Sequence, residues 1–266
     1  MIKIRLDTLL SERGLAESRQ RAKAVIMSGN VYVDGKRAEK PGMQVGPDVS
    51  VDIRGKLGYV SRGGLKLEKA LKYFDVSPDG RVCLDCGAST GGFTDCLLKN
   101  GARLVYALDV GYGQLAWNLR NDPRVVTMER TNIRFATPDM FGIKPDLAVV
   151  DVSFISLALV LPVLRKLMTN DGETICLIKP QFEAGRDKVG KKGVVRNPDT
   201  HKEVLDRFLH YSEQSGFTVK GLTWSPVRGP EGNIEFFGRL LSQGECETID
   251  TAAVVQLSHE VLHEKQ

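Results

Sequence analysis

Residues 81–95, RVCLDCGASTGGFTD, put an acid, a run of small residues and a helix start in immediate succession. The pattern reads as a strand ending at Asp85, a turn carrying Gly87, Gly91 and Gly92, and a helix from about residue 91. A turn of this kind offers free backbone N–H groups and the positive end of a helix dipole to a ligand. Its glycines let other atoms come close to the chain. The spacing is D-x-G-x-x-x-G-G, so the G-x-G-x-x-G dinucleotide fingerprint is not met. In an open α/β sheet ligands bind beyond the carboxyl ends of the strands, so the residues at each strand end are the candidates for chemistry. Asp109 ends ALD, Asp151 ends VVD, Lys179 ends LIK and Glu235 opens EFF, while Asn132 follows the third strand within ERTN. Asp109 suits either a pair of ribose hydroxyls or the capping of a turn, and Asn132 suits an adenine amino group. A Lys or Asp facing a core without a partner is costly, so this set must pair internally or with a ligand.

The elements that would position these residues alternate. Apolar, β-branched runs near 81–85, 103–109, 124–128, 146–151, 173–179, 217–224 and 234–241 read as strands. Helical patterns fall near 91–100, 113–121, 155–168 and 199–215. This predicts an α/β domain with a doubly wound, Rossmann-like, mostly parallel sheet whose last strands close antiparallel. Ahead of it, Leu6, Leu9 and Leu10 share the face of a helix over 5–14, and Ser18 caps a second helix over 19–28. Val31 and Val33 around Tyr32, followed by Asp34-Gly35, signal a hairpin, and 48–53 reads as a closing strand. A glycine-rich linker and a helix over 64–74 follow. We therefore expect a small α+β domain over 1–55, a linker over 56–65, the large domain over 66–245 and a tail over 246–266.

Composition narrows the class. The chain has 266 residues, 42% of them hydrophobic and 26% charged, which is ordinary for a folded globular protein. The longest near-continuous apolar run, residues 155–164, is too short for a bilayer, which takes roughly 20 residues. With no signal-peptide pattern at the start, a cytoplasmic location is expected. Five cysteines in apolar contexts argue for reduced thiols, and Cys83/Cys86 has no second pair to complete a zinc set, so no metal is expected. Residues 1–72 carry seven more Lys and Arg than Asp and Glu, whereas the rest carries three fewer. A basic front module on a near-neutral body suggests a polyanionic partner. Residues 183–198, EAGRDKVGKKGVVRNP, form a long basic loop after the fifth strand. Loops of that length in compact domains are functional or mobile. Its Arg186, Lys188, Lys191, Lys192 and Arg196 could clamp phosphates, and Phe182 suits either a base stack or the core.

Two resemblances organise these observations. The helix pair and hairpin, with Ser18, Arg19, Arg21, Lys23, Gly29, Val31, Val33, Asp34 and Gly35, resemble the small RNA-binding module of ribosomal small-subunit protein four. The resemblance implies that Arg5, Arg19, Arg21 and Lys23 hold RNA backbone. The glycine turn resembles the first motif of S-adenosylmethionine-dependent methyltransferases of the FtsJ type. Together with S-R-G-G-x-K-L, V-D-V-S-F-I-S, I-K-P-Q-F-E and G-N-x-E-F, the chain resembles the TlyA family of ribosomal RNA 2′-O-methyltransferases, some labelled hemolysins. That family implies S-adenosyl-L-methionine as cofactor, held by Asp85, Gly87, Ser89, Gly91, Gly92, Phe93, Asp109, Asn132 and Asp151. It implies a catalytic tetrad of Lys66, Asp151, Lys179 and Glu235, and ribosomal RNA or ribosomal subunits, one or both, as partner.

A ribose hydroxyl is a weak nucleophile that must be oriented and relieved of its proton. A lysine takes that proton only where burial and a like charge disfavour its ammonium form. We therefore expect Lys66 close to Lys179, Asp151 holding Lys179 and facing the sulfonium, and Glu235 orienting a lysine or the ribose. Two other classes of function remain: a membrane-active hemolysin, for which no lipid-entering segment is visible, and an RNA-binding protein with an inactive methyltransferase domain.

Overall fold

The computed structural model describes residues 3–16, 18–27, 29–38, 40–53, 58–245 and 247–263. Cys246 and part of the expected linker lie outside the described residues.

The N-terminal unit opens with β1 (Ile4–Arg5), α1 (Leu6–Glu12) and α2 (Arg19–Met27), followed by β2 (Val31–Val33), β3 (Lys36–Arg37), β4 (Gln44–Val45) and β5 (Val51–Ile53). Asp34 and Gly35 both have positive φ (49° and 77°), the signature of the turn that matches the twist of a two-residue hairpin between β2 and β3. β2 also pairs antiparallel with β5, and β1 with β4. Leu6, Leu9, Leu10, Ala22, Ile26 and Val31 bury a small core between the helix pair and the strands. The Ser18 hydroxyl accepts from the Arg21 N–H at 3.1 Å and starts α2.

The large unit begins with α3 (Arg62–Phe74), capped by the Ser61 hydroxyl, which accepts from Gly63 N–H. It continues through β6 (Val82–Cys86), α4 (Gly92–Lys99), β7 (Leu104–Leu108), α5 (Trp117–Arg120), β8 (Val125–Met128), β9 (Leu147–Val150), α6 (Leu161–Leu167) and β10 (Glu173–Ile178). α7 (Pro180–Glu183), α8 (Pro198–Gln214), β11 (Thr218–Trp224), β12 (Phe236–Leu241) and α9 (Thr251–His263) complete it. The seven strands order as β11-β12-β10-β9-β6-β7-β8. β6, β7, β8, β9 and β10 run parallel, and β12 is antiparallel to both β10 and β11. The doubly wound sheet with a reversed strand near one edge is as the sequence predicts.

Alternation along the strands splits the core in two. Val82, Leu84 and Cys86 face a cluster with Leu161, Leu164, Val204, Leu205 and Phe208 of α6 and α8. Cys83, Val105, Leu147, Val149 and Ile175 face the other way, against Leu67, Ala70 and Leu71 of α3 and Leu97 of α4. β6, β9 and β10 are buried throughout because both faces are covered. The C-terminal segment, which had no readable role, forms α9 and buries Val255 and Leu262 in the first of these cores.

Two expected helices are shorter than their patterns. α5 is a single turn: Gly113, where the pattern would start the helix, has φ +68°, outside the helical region, and its N–H donates to Glu129 Oε1 at 2.9 Å. Over 155–168 the chain makes a 3₁₀ turn at 157–159, where Ser156 accepts from the Ala158 N–H, and then α6, which Pro162 helps start. The basic loop of 183–198 is anchored along its C-terminal half. Val194 and Val195 are buried, Val195 N–H donates to Asn233 Oδ1 at 3.0 Å, and Asn233 Nδ2 donates to Gly193 O at 2.9 Å.

Candidate active site

A cleft of about 320 Å³ opens at the carboxyl ends of β6, β9 and β10. It collects Lys66 from α3, Asp151 after β9, Lys179 after β10 and Glu235 before β12. The four side chains form two ion pairs. Lys66 Nζ donates to Glu235 Oε2 at 2.6 Å, with Glu235 fully buried and Lys66 nearly so. Lys179 Nζ lies 2.7 Å from Asp151 Oδ1, an ion pair off the line of a good hydrogen bond, and donates to Ser153 Oγ at 2.8 Å. Each ammonium thus faces a carboxylate, Lys179 that of Asp151 and Lys66 that of Glu235, and both lysines line the same cleft. The second oxygen of Glu235, Oε1, is buried with no hydrogen-bond partner. A Cβ on Gly229 would collide with it, so that glycine makes room for the carboxylate.

The glycine turn forms the opposite wall, through Gly87, Ala88, Ser89, Thr90, Gly92 and Phe93. What each glycine accommodates is protein as much as ligand. A Cβ on Gly92 would strike Ser61 Oγ and the start of α3, and one on Gly87 would strike the Asp151 carbonyl. Glycine here lets three chain segments converge on the cleft. Asp85, Gly91, Asp109 and Asn132 do not line it. Asp85 is fully buried and accepts the Thr94 hydroxyl at 2.6 Å, bracing the first turn of α4. Burial, with the nearby Asp151 and Asp109 charges adding to it, pushes its carboxyl up to about 7, against the Thr94 hydrogen bond. Asp109 accepts the N–H groups of Ser89 (2.8 Å) and Gly111 (2.6 Å), clasping the glycine turn to the next loop. Asn132 is exposed and caps a 3₁₀ turn through the Arg134 N–H at 3.0 Å.

The basic residues divide by commitment. Arg5 makes a two-pronged contact with the buried Asp7 (3.0 and 2.9 Å), and Arg19 Nε lies 3.3 Å from the same carboxylate. The Arg5 hydrogen bonds hold the Asp7 carboxyl down at about 2 despite burial. Lys188 pairs with Glu203. Lys23, Lys191, Lys192 and Arg196 are exposed, and Arg21 borders a separate cavity of about 500 Å³ shared by α2 and the Gly113–Arg120 segment.

Among residues in or beside the cleft that had no assigned role from the sequence, Ser153, Phe154 and Arg228 stand out; Ser153 and Arg228 line it, and Phe154 follows Ser153 in the chain. Ser153 is the second partner of Lys179. Phe154 is 91% exposed with φ +64°, a conformation that costs a bulky side chain on the order of 1–3 kcal/mol and clusters at functional sites. Its ring stands 5.0 Å from Phe182, whose face lies 5.8 Å from Lys179 Nζ. Arg228 also lines the cleft. The V-D-V-S-F motif held the first two in plain view; exposure and backbone strain are what mark them.

Residues 59–240 match the FtsJ-like methyltransferase family profile and residues 4–51 match the S4 domain. Fold, cleft and profile together define an S-adenosylmethionine-dependent methyltransferase carrying an S4 RNA-binding domain. The chain is 47% identical over 241 residues to the 16S/23S rRNA (cytidine-2′-O)-methyltransferase TlyA of Mycobacterium tuberculosis, covering 90% of each chain. It is 53% identical to YqxC of Bacillus subtilis, described as a candidate rRNA methyltransferase, over 99% of this chain and 97% of that one. A solved structure described as a candidate hemolysin from Streptococcus thermophilus superposes with TM-score 0.80 at 45% identity, covering 100% of this chain and 98% of that one. The chain belongs to the TlyA family of ribosomal RNA methyltransferases. Among the described residues no helix is long and apolar enough to cross a membrane.

Proposed function

We propose that this protein transfers a methyl group from S-adenosylmethionine to the 2′-hydroxyl of a cytidine in ribosomal RNA, in the cytoplasm where ribosomal subunits are found. The observation that carries the reading is the meeting of the two Lys–carboxylate pairs with the glycine turn in one cleft. The donor set suits the cofactor. A wall of small residues leaves room along the backbone, and Asp151 is the carboxylate of the four with the most accessible side chain, 23%, suited to a positively charged sulfur. Gly87, Ser89, Gly92 and Phe93 would hold the cofactor directly. Asp85, Gly91 and Asp109 would shape the turn that holds it, and Asn132 would stand at its adenine end.

Bound there, S-adenosylmethionine supplies a methyl on a sulfonium, which departs as a neutral thioether as the new C–O bond forms. Lys179, fixed by Asp151 and Ser153, donates to the attacking oxygen and turns a lone pair toward the methyl. The hydroxyl proton passes to the Asp151 carboxylate, the acceptor of the outer pair, and from there to water. Lys66 and Glu235 fix the position of the ribose from the inner side. Phe154 and Phe182 offer the base an aromatic wall. Lys23, Lys191, Lys192 and Arg196, with Arg21, supply the contacts to phosphate; Arg5 and Arg19 contribute from their places around Asp7, and Lys188 from its pair with Glu203.

The test is ribose-methylation mapping on subunits treated with wild-type protein and with Lys179→Ala. The variant should lose about 10²–10⁴-fold in rate. Unchanged methylation would remove Lys179 from the reaction, and donor binding without methyl transfer by the wild type would favour a catalytically inactive RNA-binding protein.

A further inference from the structure

We propose that Arg228 is a phosphodiester-binding residue of the cleft, gripping the RNA backbone beside the target ribose, and that the C-terminal helix α9 sets its position. The inference rests on the reading above and names how the same site takes its substrate.

Arg228 lies in the connection between β11 and β12, seven residues ahead of Glu235, and lines the cleft with Lys66, Lys179 and Glu235. Its guanidinium is held from behind. Nη1 donates to the Gly232 carbonyl at 3.3 Å and Nη2 to the Leu262 carbonyl at 3.0 Å. Leu262 is in the last turn of α9 and buried in the core, so the carbonyl sits on a rigid support. Carbonyl oxygens fix the direction of the fork without cancelling its charge. Two of its five N–H groups are used, which leaves three for a ligand.

The charges around it leave the same conclusion. Both carboxylates of the cleft are already matched, Glu235 with Lys66 and Asp151 with Lys179. Arg228 is thus a half-buried cation surplus to both pairs, in a cleft whose substrate is a polyanion. Planar, preorganised guanidinium groups recognise phosphate through paired N–H donors, and little side-chain freedom remains to be lost on binding. In the sheet, β12 is separated from β6 by β10 and β9, so the connection between β11 and β12 brings Arg228 to the cleft from the Glu235 side and the glycine turn enters from the other. Its anion is therefore the RNA phosphate and not the methionine carboxylate of the cofactor. Sequence patterns hide this because Arg228 stands in a loop, and the group that aims it is a backbone carbonyl 34 residues away.

The experiment compares wild type, Arg228→Gln and Arg228→Lys on ribosomal subunits lacking the modification, with cofactor affinity measured separately. Arg228→Gln should lose about 10- to 100-fold in kcat/KM through KM, the range of a charge-assisted hydrogen bond. Its log KM against log salt should flatten by about one phosphate contact. Cofactor affinity should not change. Arg228→Lys, still charged, should restore most of the salt slope. Ethylation interference on the RNA with wild-type protein gives a second readout independent of any variant's folding: an ethylated phosphate next to the target ribose should block transfer. An unchanged KM and salt slope in Arg228→Gln, indifference of the wild type to that ethylation, or weakened cofactor binding with RNA KM intact would each overturn this inference alone. A wild-type protein that methylates neither subunit overturns the proposed function, and this inference falls with it.

Discussion

The two ion pairs of the cleft are built from the same residue types and differ in depth. Lys66–Glu235 ties α3 to the start of β12, with side-chain exposures of 11% and 0%. Lys179–Asp151 joins the ends of two adjacent parallel strands, with exposures of 10% and 23%, and has Ser153 as a third member. The inner pair is bought with buried charge on both sides, and breaking such a pair leaves the survivor uncompensated. The outer pair keeps an edge open to the cleft, so a lost partner can be replaced by water. Under the proposed mechanism, identical chemistry serves anchoring at one end and reaction at the other, and burial decides which.

The strongest way to break this comparison is to remove one acid from each pair. Glu235→Ala should destabilise the fold by about 3–5 kcal/mol, because Lys66 is left charged and unpaired. For a domain of this size that lowers the melting temperature by roughly 6–20 °C. Asp151→Ala should cost about 1 kcal/mol or less in stability while abolishing detectable transfer. A Lys66→Met/Glu235→Leu double variant should recover most of the melting temperature without recovering activity. Equal stability losses at the two acids, read by calorimetry, would show that depth does not separate the pairs.

Much of this site could be read from the chain, and the reason is physical. β9 and β10 are parallel strands covered on both faces, so each is an apolar run that ends abruptly at a polar residue, and that residue lines the cleft. Asp151 and Lys179 were legible in this way. Which group Glu235 would orient, a lysine or the ribose, was left open, since its pairing with Lys66 depends on how α3 lies over the sheet. The roles of Asp85 and Asp109 were obscured for a related reason. An acid after a strand looks alike whether it touches a ligand or, as Asp85 does, holds the first turn of a neighbouring helix. The loop of 183–198 looked open because glycine and lysine dominate it, yet its two buried valines and a distant Asn233 hold it.

A smaller effect tests whether the supports behind the two pairs also differ. On the side of the inner pair, His201 is buried with its ring 5.5 Å from that of Phe236, the residue after Glu235: one ring nitrogen is 3.2 Å from the Val195 carbonyl and the other 2.9 Å from His259. Burial first, and the His259 charge second, push it down from 6.5 to about 4. Folded His201 thus stays neutral while the unfolded chain protonates, so its stabilisation is complete above pH 6.5 and is lost as pH falls toward 4. Behind the outer pair, Asp85 is raised from 3.8 to about 7, so its contribution is complete below pH 3.8 and is lost as pH rises through 7. Between pH 4 and 6.5 the two oppose. Relative to wild type, His201→Gln should make stability fall more steeply with rising pH, and Asp85→Asn should make it rise. Each change is on the order of 1–3 kcal/mol across the window. Chemical denaturation at several pH values measures it, and parallel curves for all three proteins would sink the assignment.

The smallest effects concern the cations outside the cleft, where the contrast between committed and open charge recurs. Arg19 shares Asp7 with Arg5, and the carboxylate is fully buried beneath them. Lys23, on the same helix, and Lys192, on the basic loop, are exposed. A solvated lysine contributes to RNA binding by releasing counterions, an effect that salt removes. Lys23→Ala and Lys192→Ala should therefore each weaken subunit binding about two- to threefold at low salt, converge on wild type as salt rises, and leave the melting temperature unchanged. Arg19→Ala should lower the melting temperature as well, since Asp7 loses one of the two guanidiniums that offset its burial. Filter binding across a salt series, paired with thermal melts, separates the outcomes. A salt-independent loss at Lys23 would mean that it reads the RNA through a dry, specific contact, and an Arg19 variant with wild-type stability would mean that Arg5 alone satisfies the buried acid.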